Sequence, residues 1–211
     1  MRKTAFLLLI SIILFSCRKD AAVPEAVNNG GTGTSVVPFV PLTVGSFWVY
    51  QYLIIDTLGN ETITNVDTMR ITKDSIINGK SYAFIKGSYQ IYCPMCYSFR
   101  RDSSGYLVCE RGTIFFSSTN FKDTLHVFNS PGIFVYYKMT HKDSSVTVPS
   151  GIFPTSDYQG SYYFPPSYPY DNPRQDGTLY SYGVGIVKNY DFYGYSKYTI
   201  ESRLVSYYIA P

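Results

Sequence analysis

Over most of its length, the chain alternates hydrophobic and polar residues with the two-residue period of β-strands. In residues 47–52, Trp48, Tyr50 and Tyr52 fall on one face and Val49 falls on the other. Beyond the first 17 residues, no window repeats apolar residues at the helical spacing of i, i+3, i+4 and i+7. The pattern therefore predicts strands, and no helices, in the main part of the chain.

Turn residues divide this part of the chain into short segments. Asn78-Gly79 gives the strongest hairpin signal, because a type I′ turn requires positive φ at both central positions. It joins a strand rich in Thr, Val and Ile over residues 62–73 to another over residues 81–86. Further strands are predicted over residues 97–101, 106–111, 133–141, 145–148, 180–188 and 197–209.

Two glycines interrupt one of these predicted strands. Gly183 and Gly185 lie within residues 180–188 and indicate a bulge or a close backbone approach. Short strands at regular spacing, with turn residues between them, favour antiparallel pairing. The sequence is therefore predicted to form an all-β domain built on a twisted antiparallel sheet.

Composition supports strands and excludes one class of partner. Aromatic residues make up 18% of the sequence, with 22 Tyr and 14 Phe, and such side chains fit a pleated surface. The formal charge of +3 is small and not clustered, so the chain lacks the basic stripe of a nucleic-acid-binding protein. The 211 residues suit one domain with a tail.

The first residues have the pattern of an export signal. Arg2 and Lys3 precede an apolar run over residues 5–15, which is shorter than the roughly 20 residues of a membrane span. The run ends in Leu14-Phe15-Ser16-Cys17. This ending resembles the lipobox of bacterial lipoprotein precursors, in which an aliphatic residue and two further positions precede an invariant cysteine.

That resemblance implies cleavage before Cys17 and acylation of this cysteine, so that acyl chains hold the protein on a membrane. Residues 1–16 are then the signal peptide. Residues 17–40 form a flexible tether, because they contain few large side chains that folding could bury. The β domain is predicted to occupy residues 41–211. The implied location is the cell envelope, on the outer membrane of a Gram-negative bacterium, with the membrane face left open.

A second resemblance extends over the predicted domain. The matching segments are Pro41-Leu42-x-Val44-Gly45-Ser46-x-Trp48-x-Tyr50, Val146-x-Val148-Pro149-Ser150-Gly151-x-Phe153, Gly183-Val184-Gly185-Ile186-Val187-Lys188 and Ser202-Arg203-Leu204-x-x-Tyr207. Together they are similar to a group of uncharacterised Gram-negative envelope lipoproteins. The resemblance implies a strongly twisted antiparallel sheet, curled into a half-barrel or open barrel. It implies no activity and no catalytic residues.

Candidates for catalysis or metal binding are few. His126 and His141 stand fifteen residues apart without further ligands at short spacing, which does not suit zinc. The sequence contains no Gly-x-Ser-x-Gly elbow and no glycine-rich phosphate loop before a helix. A glycosidase would need two carboxylates that converge from different strands, and the carboxylates here are scattered. We therefore predict no catalytic residue, no metal and no cofactor.

Three cysteines besides Cys17 allow one disulfide. Cys93 and Cys96 have the spacing of a redox pair, but a strand rather than a helix is predicted to follow, so no helix N-terminus would stabilise a thiolate. Pro94 suits the second position of a β-turn, which brings the first and fourth Cα atoms within about 7 Å. A bridge between Cys93 and Cys96 is predicted, with Cys109 as the competing partner or a buried free thiol.

The most unusual stretch, residues 158–173, combines tyrosines with prolines. Prolines stiffen a backbone, and tyrosines offer an apolar face with a polar tip. A rigid aromatic loop of this kind could stack on sugar rings or hold an extended peptide. Alternatively, the loop folds over one opening of the sheet with its rings packed inward. The candidate ligand-binding residues are Tyr158, Tyr162, Tyr163, Phe164, Tyr168 and Tyr170.

These observations favour a lipid-anchored envelope protein that acts as a non-enzymatic binding or interaction module. Its predicted partners are the membrane, through Cys17, and a glycan, peptide or lipid ligand. The alternative is a lipid or ligand carrier, or a hydrolase whose site is built from dispersed residues. A ligand cavity in the sheet would favour the carrier, and converging carboxylates with perturbed pKa values would favour the hydrolase.

Overall fold

The computed structural model describes residues 35–87, 97–169, 171–192 and 196–211, which form strands without helices. Within these ranges, no helix is long and apolar enough to cross a membrane. The strands are β1 (Phe47–Ile55), β2 (Glu61–Ile77), β3 (Lys80–Lys86), β4 (Tyr97–Ser103), β5 (Tyr106–Val108), β6 (Ile114–Ser117), β7 (His126–Ser130), β8 (Ile133–Met139), β9 (Ser144–Val148), β10 (Gly151–Tyr163), β11 (Arg174–Ser181), β12 (Gly185–Phe192) and β13 (Thr199–Tyr208). The prediction of an all-β fold is confirmed.

The strands form a single antiparallel sheet that curls into a nearly closed barrel. Its order is β6-β5-β4-β3-β2-β1-β13-β12-β11-β10-β8-β7, and β9 pairs with β10 beside this path. β1 pairs with both β2 and β13, so the first and last strands of the chain are neighbours. β6 and β7 are consecutive in the chain, yet they are the two ends of this order and leave one seam unsealed. This architecture confirms the predicted open barrel.

Two of the predicted hairpins are present. Asn78 and Gly79 adopt φ values of 50° and 73° at the turn between β2 and β3. Ser104 and Gly105 do the same between β4 and β5, with φ values of 54° and 88°. These positive values are the backbone conformation that a two-residue type I′ hairpin requires.

The strand predicted over residues 180–188 is instead a hairpin. β11 ends at Ser181 and β12 begins at Gly185, with the chain reversing between them. Gly183 and Gly185 have φ values of 73° and 95°, which residues with a side chain rarely adopt. These glycines, predicted to mark a bulge or a close backbone approach within a strand, therefore supply the turn, and the Gly183 amide does approach the Pro38 backbone closely, at 2.6 Å from its carbonyl oxygen.

Residues 35–40, which lie within the segment predicted as tether, are packed against the barrel. Val36 is 0% exposed and belongs to the hydrophobic core. The Ser35 hydroxyl donates a hydrogen bond to the Asp102 carboxylate on β4. The amide of Gly183 donates to the carbonyl of Pro38 over 2.6 Å. Residues 35–40 are thus held by both apolar burial and hydrogen bonds.

Aromatic side chains that reach across the barrel identify its inner face. The Tyr50 hydroxyl on β1 donates to the carbonyl of Ile186 on β12 over 2.7 Å, passing β13. The rings of Phe116 on β6 and Tyr180 on β11 lie 4.6 Å apart, although these strands are far apart in the sheet. Contacts between non-neighbouring strands require these side chains to point into the barrel, so large rings fill the interior.

One such contact protects the β6 side of the seam. The Tyr158 hydroxyl on β10 donates to the carbonyl of Ile114 on β6 over 2.7 Å. An edge strand has carbonyl groups without a strand partner, and a buried acceptor left unpaired is destabilising. Tyr158 therefore supplies part of the pairing that β6 lacks.

We expect Tyr158→Phe to lower the free energy of unfolding by about 1–3 kcal/mol, because the Ile114 carbonyl would lose its donor while the ring stays in place. Urea unfolding followed by tryptophan fluorescence would measure this change. Tyr208→Phe is the matched control, since the Tyr208 ring is exposed and stacks on Phe47. Equal stability of the two variants would contradict the proposed protection of β6.

Candidate functional site

The structure distributes the predicted ligand-binding residues over a strand and a turn. Tyr158, Tyr162 and Tyr163 belong to β10, so the prediction of a loop from residue 158 onward is wrong for residues 158–163. Side chains alternate along a strand, which places Tyr158 and Tyr162 on the inner face and Tyr163 on the outer face. Phe164 and Tyr168 follow β10, and Tyr170 lies outside the described residues.

The turn after β10 is packed against its own surroundings. The rings of Phe164 and Tyr168 stack with centroids 3.9 Å apart. The Arg174 guanidinium donates to the Tyr168 hydroxyl over 3.0 Å and lies 4.1 Å above the Phe192 ring. Because these groups are engaged with each other, the turn fits the alternative in which its rings pack inward.

A group of three rings lies on the outer face, and we call it the outer aromatic face: Phe134 and Tyr136 on β8, and Tyr163 on β10. Tyr163 stands opposite Phe134, and Ser161 stands opposite Tyr136. The three centroid separations are between 5.9 and 6.3 Å, so the rings are in mutual contact. Phe134 is 41% exposed and Tyr163 is 40% exposed. The site therefore presents clustered rings to solvent.

Polar groups accompany these rings. The pKa of Tyr136 is lowered, chiefly by a hydrogen bond from Tyr163 and also by one from Ser161. The same bond raises the pKa of Tyr163. The Lys138 ammonium lies 5.8 Å from the Tyr136 ring centroid, within the range of a cation–π contact. Apolar ring faces, two hydroxyls and a cation are thus available together on one surface.

A second group, which we call the Tyr–Asp cluster, lies on the inner face: Tyr137, Tyr162 and Asp176. The Tyr162 hydroxyl donates to Asp176 Oδ2 over 2.7 Å, and the Tyr137 hydroxyl reaches the same oxygen over 3.3 Å. The two hydroxyl oxygens are 2.5 Å apart. The amide of Gly160 donates to Asp176 Oδ1 over 3.0 Å. Asp176 thereby links β8, β10 and β11 within the barrel.

Gly160 makes this arrangement possible. A Cβ atom at this position would lie 2.5 Å from Cε1 of Tyr137 and would collide with Oδ1 of Asp176. The register explains why, since Gly160 stands opposite Tyr137 on one side and Asp176 on the other. The missing side chain leaves room for both neighbours to lie over the β10 backbone.

Burial sets the acidity of the cluster. Burial raises the pKa of Asp176 to about 6, with a further increase from Asp191 and an opposing effect of the hydrogen bond from Tyr162. The pKa of Asp191 is also raised by burial, although the Phe192 amide and the Arg174 charge oppose the increase. Burial beside Asp176 raises the pKa values of both Tyr137 and Tyr162. No sequence pattern predicts this cluster, because only the pairing of β10 with β11 brings Asp176 to Tyr162.

A serine, a histidine and an aspartate also meet at the base of β9. His141 Nδ1 lies 3.3 Å from Asp157 Oδ2, and the Ser144 hydroxyl lies 3.3 Å from Asp157 Oδ1. In a nucleophilic triad, the serine contacts the imidazole and the carboxylate lies on its far side. Here the serine contacts the carboxylate, so His141 is not placed to take its proton.

The two histidines do not meet. His126 stacks on Tyr137 with centroids 5.9 Å apart, and burial lowers its pKa. His141 belongs to the group with Asp157. In the part of the chain that the structure describes, no group of three or more His, Cys, Asp or Glu side chains could hold a metal ion.

The predicted cysteine chemistry falls mostly on residues that the structure does not describe. Cys17, Cys93 and Cys96 lie outside the described ranges, so lipidation and the Cys93–Cys96 bridge stay predictions. Cys109 is buried and has no disulfide partner among the described residues.

No protein-family model matches the sequence, and no curated protein is significantly similar to it. Two solved structures are similar in fold. A predicted exported protein with a YMCC-like fold from Bacteroides fragilis has a TM-score of 0.54 and 12% identity, over 81% of this chain and 98% of that chain. A predicted lipoprotein from Parabacteroides distasonis has a TM-score of 0.47 and 14% identity, over 81% and 99%. Because the sequence identity to the Bacteroides fragilis protein is only 12%, the similarity to that structure shows the fold alone.

Removal of the Asp176 charge should change how stability depends on pH. Because folding raises this pKa, the stability contributed by Asp176 is greatest at low pH and falls as pH rises through about 6. Asp176→Asn should therefore gain about 2–3 kcal/mol relative to the wild type between about pH 4 and pH 7. Urea unfolding at both pH values would measure this gain. The exposed Asp123→Asn is the control, and an equal gain for both variants would exclude a buried, proton-binding Asp176.

Proposed function

We propose that the protein is a lipid-anchored component of the bacterial cell envelope, on the outer membrane, that binds a glycan through the outer aromatic face. The N-terminal pattern that ends at Cys17 supports the anchor. The similar fold of the Bacteroides fragilis protein, described as exported, agrees with transport out of the cytoplasm. Binding without chemical conversion is the activity that the surface of the barrel supports best.

The observation that carries the binding proposal is a cluster of three mutually contacting rings, of which Phe134 and Tyr163 are exposed and Tyr136 is half-buried. Scattered single apolar side chains are normal on a protein surface, whereas contiguous exposed patches mark interaction sites. A sugar ring has an apolar face that fits an aromatic ring and hydroxyls that need hydrogen-bond partners. Tyr136 and Tyr163 offer both kinds of contact, because each combines a ring with a hydroxyl.

The interior of the barrel supports the carrier alternative less well. A cavity between Trp48, Tyr180 and Ile186 has a volume of about 40 Å³. A site of that size admits one or a few water molecules and is too small for an acyl chain. Rings such as Tyr50 and Phe116 occupy the space that a carrier would leave for its ligand.

The hydrolase alternative has one favourable observation. Asp176 and Asp191 lie close together and both have raised pKa values, as a general acid requires. However, both oxygens of Asp176 already accept hydrogen bonds from its own sheet, from Tyr162 and Gly160. A carboxyl group held in this way links strands, and the geometry accordingly favours a structural role.

The anchor can be tested in cells that export the protein. Cys17→Ser should abolish labelling by a radioactive fatty acid and normal processing at residue 17, which leaves the protein uncleaved or soluble, because the thioether has no sulfur to form on. Cys109→Ser is the matched control and should keep both properties. Unchanged labelling of Cys17→Ser would rule out this anchor.

The binding surface can be tested with the full chain in detergent micelles on a glycan array. Replacement of both Tyr136 and Tyr163 by Ala should weaken binding roughly tenfold or more, because two stacking rings are lost. The control replaces two other exposed tyrosines, Tyr198 and Tyr208, by Ala. The proposal fails if the wild type binds no glycan, or if both double variants bind equally well.

A further inference from the structure

β7 (His126–Ser130) forms an open edge of the sheet. It pairs with β8 on one side, and no described strand pairs with its other side. Proteins usually protect such edges with Lys, Pro, inward-pointing charges or a bulge, because the free N–H and C=O groups can pair with another chain. The β7 sequence His-Val-Phe-Asn-Ser has none of these residues, and its pairs with β8 are in continuous register.

The apolar side chains of β7 are exposed as well as its backbone edge. Val127 is 51% exposed, and Phe128 is 43% exposed. Neighbouring residues of a strand point to opposite faces, so apolar surface is exposed on both sides of the edge. Such a strand has the properties of a pairing site rather than of a protected edge.

The opposite end of the sheet is different. In β6, Phe116 and Ser117 are fully buried, and the Ile114 carbonyl accepts its hydrogen bond from Tyr158. One side of the seam is therefore covered by the molecule itself, whereas β7 is left open. This asymmetry shows that the exposure of β7 is not a general property of the strands at the seam.

The backbone donors and acceptors along the free edge of β7 limit which kind of partner can pair with it. A row of alternating backbone donors and acceptors is matched in full by another extended strand. Two copies of β7 can approach without like charges facing each other, because the strand carries no Lys, Arg, Asp or Glu. Antiparallel pairing of one strand with its own copy forms a two-fold interface, the commonest symmetry of protein dimers.

We propose that β7 pairs with β7 of a second copy of this chain, which joins the two barrels through one continuous antiparallel sheet. The exposed surfaces of Val127 and Phe128 become covered in this dimer. Because the two-fold axis is perpendicular to the shared sheet, the two outer aromatic faces lie on the same side. A ligand with repeated sugar units could then contact both copies, which increases avidity without any new contact.

Cysteine crosslinking tests the pairing in the full chain, in detergent micelles. The variants are Val127→Cys, Phe128→Cys and Asn129→Cys, with the natural cysteines retained and the wild type as background. A two-fold antiparallel pair places one residue opposite its own copy at a Cα separation of about 4.5–5.5 Å, within disulfide range. At least one variant should therefore form a disulfide-linked dimer after mild oxidation.

Ile76→Cys is the crosslinking control, because Ile76 is 73% exposed and lies on β2, which is distant from β7 in the sheet order. Crosslinking by random collision would be at least as strong at this more exposed position. Equal crosslinking of Ile76→Cys, or none in the three β7 variants, would overturn the proposal.

Sedimentation of the same preparations gives a second readout that does not depend on oxidation. The wild type should sediment as a dimer, and Val127→Lys should sediment as a monomer, because a charge on each copy would then face the other across the pair. Ile76→Lys should remain a dimer. A monomeric wild type, or a dimer that Val127→Lys does not disrupt, would refute the pairing even if the glycan proposal holds.

Discussion

β1 and β13 pair along the whole of β1, from Phe47 to Ile55, and this contact joins the two halves of the barrel. On either side of it, most strands pair with their neighbours in sequence, so those ladders close short loops. The β1–β13 ladder instead brings together residues separated by most of the chain, which makes it the least local pairing in the sheet. Trp48 and Tyr50 then extend from β1 to carbonyls of Val184 and Ile186, next to the turn before β12. The packing of the interior therefore depends on correct register between the two terminal strands.

The interior changes character along its length. Around Trp48 and Tyr180 it is mostly apolar and aromatic, and the Trp48 indole and the Tyr50 hydroxyl donate to backbone carbonyls. Around Asp176 and Asp191 it contains carboxyl groups whose raised pKa values record incomplete solvation. A buried carboxyl group is tolerated when hydrogen bonds compensate for lost water, and Tyr162 with Gly160 provides them here. The barrel thus combines a conventional core with a polar layer that is sensitive to protonation.

Local signals in the sequence predicted local structure well. Asn78-Gly79 marked a true hairpin, because its required φ values depend on two adjacent residues alone. The close backbone approach predicted for Gly183 and Gly185 is present, but the continuous strand around them is not. Glycine serves both a bulge and a turn, and the choice depends on whether the strands on either side pair with each other. The Tyr–Asp cluster could not be predicted for a related reason. Asp176 meets Tyr162 through the register of β10 with β11, which is set by the whole sheet rather than by nearby residues.

The packing of residues 35–40 against the barrel has a mechanical consequence. Val36 is buried in the core, the Phe39 ring meets the Tyr182 ring edge-on at 5.3 Å, and Pro38 accepts a hydrogen bond from Gly183. A pulling force on the N-terminal side of the chain would therefore load the contacts of Ser35 and Val36 with Asp102 on β4, and then the turn between β11 and β12, before it reached β1. The first rupture under tension would be the detachment of this segment, which would lengthen the chain that precedes β1 while the sheet stayed intact. The segment would then behave as a small extensible element in series with the barrel, and it would yield before the β1–β13 ladder was strained.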